Sequence, residues 1–387
     1  MPWRSWREEL VPPLLFTVVT RLTLFVAVWI SLRAVPRLDR YPAQLFDSFL
    51  PDHPFVDGWA RWDTAHYVAI ASLGYGHPDS PSVDGGFGFL PGFPLLMRLL
   101  ANLPSIADTA GAYALAGVVA ANVLLFVAVA FFTLLSRESI SRPATMSAVA
   151  LLLLLPYSFF LSAGYSESLF LTLALGSLLL AGRQHWLAAG SVAGLASATR
   201  IAGLFLAPAL VYGAWKNGVR GWRLFASGLL PASGFILWSL YVWWKHGDIR
   251  AYFRAQAEWG GWTEHVRFYA ELLWNEPLTM LRGDPRHLII LLNLAMGVLF
   301  LAMLPAVWRR TPPTVAMFTV LIVIFHLCWT WVSLGRYLLP AVGVYMVAGE
   351  LLARPRLAGW PRDVILASAT ILLAALAILF AHGFWVV

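Results

Sequence analysis

Asp63 stands in the run Arg61-Trp62-Asp63-Thr64-Ala65-His66-Tyr67. On a helix, His66 and Tyr67 would fall three and four residues beyond the aspartate, on the same face. A carboxylate, an imidazole and a phenol gathered that way can move a proton. Desolvation at an apolar boundary raises a carboxylate's pKa and makes it a better base, whereas Arg61 or a bound cation would oppose that shift. A surface aspartate on an amphipathic helix is the alternative reading of the same spacing.

A second carboxylate, Glu167, lies in Pro156-Tyr157-Ser158-Phe159-Phe160-Leu161-Ser162-Ala163-Gly164-Tyr165-Ser166-Glu167-Ser168-Leu169-Phe170. Ser166 is placed to N-cap the following helix, with Glu167 in its first turn where the helix dipole favours an anion. An ionisable group between two apolar segments is also a functional candidate. Arg200, in Ala198-Thr199-Arg200, and Arg336, in Gly335-Arg336-Tyr337, have a guanidinium fork that matches phosphate through paired hydrogen bonds; snorkelling to lipid headgroups is the plainer role for each. Arg21 sits deep in the first apolar run, where a helix-packing ion pair or snorkelling would account for it. No Walker-type loop, dinucleotide glycine fingerprint, zincin motif or paired-cysteine metal site occurs, so the energy for a reaction has to arrive within the substrate.

The elements that must hold these groups follow from composition. Hydrophobic residues make up 59% of the 387, and only 12% are charged, against about 25% in soluble domains. An ordinary soluble enzyme is excluded. Apolar runs near the ~20 residues that cross a hydrocarbon core recur at 12–34, 111–135, 144–163, 167–182, 187–214, 224–244, 287–308, 314–333, 337–352 and 364–386. The run 187–214 carries the polar tip Ser197-Ala198-Thr199-Arg200 near its middle. With the N-terminus inside, only a hairpin there brings Lys216, Arg220, Arg223, Arg309, Arg310, Arg354, Arg356 and Arg362 to the cytoplasmic side, as the positive-inside rule prefers. That reading gives an all-α polytopic membrane protein of about eleven transmembrane segments, a single domain over 1–387.

The net charge of +7 then reflects membrane orientation, and no nucleic acid is needed to explain it. Fifteen of the twenty carboxylates fall on the outer side of this topology, mostly in two long extracytoplasmic loops, 35–110 and 245–286. Both loops are expected to hold interfacial helices. In the first, Asp57 would N-cap a helix over 58–73 that Gly74 stops, with Trp59, Trp62, Ile70 and Leu73 on its apolar side. In the second, Tyr252, Phe253, Trp259, Trp262, Phe268 and Trp274 suit headgroup level. The lone cysteine, Cys328, reads as a small buried hydrophobe. The first apolar run is about twice a signal-peptide core in length and reads as a retained span.

Four stretches resemble the PIG-V-type mannosyltransferases of the GT-C superfamily of polyprenol-dependent glycosyltransferases. They are Arg61 to Tyr67 with Ala69 to Tyr75, Phe89-Leu90-Pro91-Gly92-Phe93-Pro94-Leu95-Leu96-Met97-Arg98, Phe160 to Phe170, and Ala198-Thr199-Arg200 followed by Gly203. The resemblance implies a GT-C-like bundle that transfers a hexose, most simply mannose, from a polyprenyl- or dolichyl-phosphate-linked donor to a glycolipid or protein acceptor on the outer or lumenal face. It maps the essential Trp-Asp pair of that family onto Trp62 and Asp63. The chain length is closer to a prokaryotic member, which would sit in the cell membrane; a eukaryotic one would sit in the endoplasmic reticulum.

Joined to the residue chemistry, this predicts Asp63 as general base in an inverting displacement. The donor phosphate would lie at Arg200 and Arg336, and Trp62, His66, Tyr67, Tyr165 and Glu167 would bind or orient the substrates. No cofactor is called for, and no ligand cluster demands a divalent ion. The rival from another class is a transporter or flippase for an anionic or lipid-linked substrate, which would place its polar residues near the midplane and repeat one half of the chain in the other. A non-catalytic membrane scaffold is a third.

Overall fold

The computed structural model describes residues 3–35, 48–80, 85–102, 109–258, 260, 262–275 and 285–386. Among them every regular element is helical. Five helices are long and apolar enough to cross a membrane: α1 (Trp3–Ala34), α5 (Ala110–Arg137), α10 (Trp222–His246), α13 (Pro285–Arg310) and α17 (Trp360–Ala381). Shorter apolar helices accompany them: α4 (Gly92–Ala101), α6 (Arg142–Leu154), α7 (Glu167–Gly182), α8 (Trp186–Ser197), α9 (Leu206–Lys216), α14 (Pro313–Trp329) and α16 (Val342–Leu352). The remaining helices are α2 (Pro54–Asp57), α3 (Asp63–Leu73), α11 (Ala251–Glu258), α12 (Trp262–Asn275) and α15 (Leu334–Tyr337).

The apolar run 187–214 is broken where its polar tip predicted a break. α8 ends at Ser197, Arg200 is extended (φ −147°, ψ 143°), and a 3-10 turn over Ile201–Phe205 leads into α9. α8 packs between α7 and α10, and α9 packs on α10 and α14. A similar break divides the run 144–163: Pro156 cannot continue a helix, so α6 stops at Leu154 and a 3-10 turn covers Pro156–Leu161.

That second break explains Arg21. Its side chain is buried, which excludes a snorkel, and it forms no ion pair among the described residues. The guanidinium instead donates to the carbonyls that the helix break releases, Nη2 to Leu153 O at 2.5 Å and Nη1 to Ser158 O at 3.2 Å. The fork geometry is what serves here. Arg21→Lys keeps a buried charge but cannot span both acceptors, whereas Arg21→Met keeps the volume and drops the charge, leaving Leu153 O the Ser158 hydroxyl at 2.6 Å. The lysine protein is therefore expected to be the less stable of the two by about 1–3 kcal/mol, read from thermal unfolding in detergent.

The first large loop departs from the predicted interfacial helix. Its helix begins at Asp63, not at 58, because Trp62 takes a left-handed backbone (φ 53°) after the separate turn α2. Asp57 does not cap it; buried, it pairs with Arg61 at 3.0 Å and accepts from Leu50 N–H at 3.2 Å. Trp59 and Ile70 are buried in the protein, as is most of α3, so this helix is a core element; Leu73 alone of the four stays exposed. Gly74 ends it as expected (φ 86°). In the second loop, α11 is anchored through buried Tyr252, while Phe253, Phe268 and Trp274 are exposed; Trp259 lies outside the described residues. Cys328 is exposed on α14, contrary to the buried reading. An apolar residue of a membrane helix can face lipid as readily as protein, and hydropathy does not separate the two.

Candidate active site

Both candidate carboxylates occupy the first residue of a helix, Asp63 on α3 and Glu167 on α7, where the positive end of the helix dipole favours an anion. The two helix starts converge on α15. Arg336 Nη1 donates to Asp63 Oδ2 at 2.6 Å, and its Nε donates to Glu167 Oε1. The same Glu167 oxygen accepts from Arg200 Nη1 at 2.6 Å. Asp63, Arg336, Glu167 and Arg200 thus form a continuous chain of two carboxylates and two guanidiniums with no net charge. Glu167 and Arg336 are each 4% exposed, whereas the Asp63 side chain is 21% exposed. Asp63 is therefore the carboxylate of the chain that an incoming group can reach.

The surrounding residues fix this chain in place. Arg336 lies over the Tyr165 ring (4.5 Å) and the Phe160 ring (5.0 Å), and Arg200 lies over Tyr337 (5.3 Å). The backbone N–H of Asp63 donates to Tyr165 Oη at 3.2 Å. Ser166, expected as an N-cap, makes no cap bond; its hydroxyl meets Tyr67 Oη at 2.9 Å and accepts from Arg200 Nη1 at 3.1 Å. Burial, with the Glu167 carboxylate adding to it, pushes the Tyr67 phenol well above its ordinary pKa, so it stays protonated. His66 is stacked on Phe89 at 4.5 Å, with Tyr67 edge-on to the same ring at 5.2 Å. Trp62 donates its indole N–H to Phe384 O at 3.1 Å, which ties the strained residue before Asp63 to the chain beyond α17. Arg61, expected to act on Asp63, is taken up by Asp57, and Arg336 fills that role.

Two glycines let the segments meet. Gly92 N–H donates to Ala198 O at 2.8 Å, and a Cβ at Gly92 would come within 2.4 Å of Thr199 Oγ1. A Cβ at Gly335 would come within 2.1 Å of the Tyr157 ring. The Gly335 N–H donates to Asn293 Oδ1 at 2.8 Å, and Asn293 in turn donates to Tyr269 Oη at 3.3 Å. The second loop is thereby joined to the residue before Arg336.

Glu167, Arg200 and Arg336 also line, with His326 and Tyr337, a recess of about 10 Å³, room for about one water molecule. Asn293 and His326 are site residues that the sequence reading passed over. Polar residues inside the apolar runs 287–308 and 314–333, they carried the general signal of an ionisable or amide group in a membrane segment. Among the described residues no group of three or more His, Cys, Asp or Glu could hold a metal ion.

Residues 14–207 match the family described as mannosyltransferase (PIG-V). The chain is similar to GPI alpha-1,6-mannosyltransferase 2 of Homo sapiens, 31% identical over 35% of this chain and 31% of that protein. It is similar to the Mus musculus protein of the same name, 32% identical over 38% of this chain and 30% of that protein. The match thus takes in under a third of the length of these relatives. Among solved structures, ArnT from Cupriavidus metallidurans bound to undecaprenyl phosphate aligns at TM-score 0.49 and 14% identity, covering 90% of this chain and 62% of that one. The apo oligosaccharyltransferase of Archaeoglobus fulgidus aligns at TM-score 0.48 and 13% identity, covering 94% and 56%.

Proposed function

The chain belongs to the PIG-V mannosyltransferase family, and from that premise we propose that it transfers a hexose, mannose first, from a polyprenyl- or dolichyl-phosphate-linked donor to a hydroxyl of a glycolipid or protein acceptor. The reaction takes place on the extracytoplasmic face of the membrane, in a GT-C-like bundle. The observation that carries this reading is the chain Asp63–Arg336–Glu167–Arg200, which is neutral at rest, buried at Glu167 and open at Asp63.

Asp63 Oδ2 is held by Arg336, while Oδ1 has no hydrogen bond among the described residues and is the atom to receive a proton. The acceptor oxygen attacks the anomeric carbon and its proton passes to Asp63 Oδ1. The bond from that carbon to the phosphate oxygen breaks, and the electron pair leaves on the phosphate. One displacement by one base gives inversion. Arg200 uses Nη1 on Glu167 and Ser166, and Arg336 uses Nε and Nη1 on the carboxylates. Each keeps N–H donors for the phosphate, where fixed dipoles in a dry site act most strongly on developing charge.

Membranes containing the protein are expected to transfer mannose from polyprenyl-phosphate mannose to a lipid or peptide acceptor. Arg200→Ala should raise the donor concentration needed for half-maximal rate about tenfold or more, the effect of one charged hydrogen bond. An unchanged donor dependence would remove Arg200 from phosphate binding, and failure of the unaltered protein to use any mannosyl donor would overturn the reading as a whole.

A further inference from the structure

His326 lies on α14, a helix that contributes no other residue to the recess. Its ring is fixed from three directions. Nδ1 lies 2.8 Å from the carbonyl of Ile322, one turn earlier, so Nδ1 carries the proton and donates it. One face stacks on Tyr337 at 5.1 Å (interplanar 17°), and Phe325 meets the ring edge-on at 5.2 Å. With Nδ1 committed, the neutral imidazole offers Nε2 as an acceptor.

A second acceptor belongs to another residue that lines the recess. Glu167 Oε1 takes both arginines, while Oε2 is buried and has no hydrogen-bond partner among the described residues. A buried carboxylate oxygen without a donor is costly, and native proteins leave few. The recess is therefore lined both by the two guanidiniums and by the two residues that carry these acceptors, Glu167 and His326. A phosphate ester, with acceptors alone, can use the arginines and neither of the others. A sugar hydroxyl, which donates and accepts, can use both kinds. Room for about one water-sized group suits a single hydroxyl.

From His326 and Glu167 lining one recess with Arg200 and Arg336, we infer that the recess is a hydroxyl pocket for the transferred sugar, with His326 as its specificity-determining residue. The inference rests on the glycosyl-transfer reading and adds to it which part of the substrate is read. It assigns the pocket to the donor and not the acceptor by burial: Glu167 and His326 are buried, whereas Asp63, where the acceptor hydroxyl is deprotonated, is the more exposed group.

The test compares His326→Leu and His326→Gln with the unaltered protein on polyprenyl-phosphate mannose and on its four monodeoxy analogues. His326→Leu is expected to lower kcat/KM for the mannosyl donor about tenfold to a hundredfold, because a buried hydroxyl loses its acceptor. With one deoxy analogue the leucine and unaltered proteins should converge, since the hydroxyl read by His326 is then absent. His326→Gln, which can set an amide oxygen near the position of Nε2, should recover part of the loss. A penalty of the same size on every analogue would make His326 a packing residue and overturn the inference while the unaltered enzyme stays active. Convergence seen on deoxy acceptors instead of deoxy donors would also overturn it. Absence of transfer from any mannosyl donor by the unaltered protein would remove the reading beneath it.

Discussion

Asp63→Asn is expected to lower mannosyl transfer by about 10²–10⁴-fold, the range over which a positioned general base contributes. Asparagine keeps the shape and an oxygen to meet Arg336, but cannot take a proton from the acceptor hydroxyl. Its cost in stability should be small. Arg336 retains Glu167, and the aspartate is the partly exposed end of the chain, so the ion pair it gives up is one that water already screens. The loss should therefore appear in kcat at saturating donor, with thermal unfolding close to that of the unaltered protein. Asp63→Glu restores the charge but lengthens the reach from the first residue of α3, and is expected to fall between the two. Initial rates in membranes, normalised to folded protein, decide the matter: Asp63→Asn at an undiminished rate would mean that the proton is taken elsewhere.

Much of the helical framework was legible because it is set by local composition. The runs 111–135, 167–182, 224–244 and 287–308 became helices within two residues of their expected ends, 144–163 stopped as an α-helix at Leu154, and the polar tip at Arg200 broke its run because a guanidinium next to Ser197 and Thr199 does not sit in the middle of a span. The residues of the site were legible as types and not as partners. Nothing in the spacing of Asp63 and Arg336, 273 positions apart, announces that they bond, and Arg61, two residues away, was the natural guess. Ser166 has the residue type and position of an N-cap, yet the tertiary pull of Tyr67 and Arg200 outweighs it. The start of α3 was missed because Trp62 adopts a positive φ that no sequence rule allows a tryptophan, and the strain is upheld by its indole bond to Phe384 O. Ile322 is buried and Ile324 exposed on the same helix, α14, although the residue type is identical; only packing against particular neighbours distinguishes lipid-facing from core-facing positions.

Glu167→Ala is expected to be the most damaging single change in the site. It removes the one carboxylate that both arginines share and leaves Arg200 and Arg336 as neighbouring cations, Arg336 with 4% exposure. Removing one partner of a buried ion pair costs about 3–5 kcal/mol, because the other charge stays behind uncompensated. The test of this account is the double variant. If the cost comes from stranded charge, Glu167→Ala with Arg200→Ala should unfold at a higher temperature than Glu167→Ala alone, a non-additive result that residues in one network give and independent ones do not. Simple addition of the two losses would mean that Glu167 acts through packing. Glu167→Gln separates stability from chemistry. The amide keeps the volume and an acceptor for Arg336 Nε, so the protein should remain folded in detergent. Arg336 would then have Asp63 as its only anionic partner in the chain, and the carboxylate would be held more tightly against it and made a weaker base. Transfer by the folded Glu167→Gln protein is accordingly expected to fall about tenfold or more and not to recover as pH is raised, because a carboxylate held against a guanidinium is already deprotonated and the loss lies in its weaker pull on the acceptor proton. Recovery at higher pH would instead mean that the substitution leaves the base protonated, and the account in which the shared glutamate keeps Arg336 drawn back from Asp63 would fail.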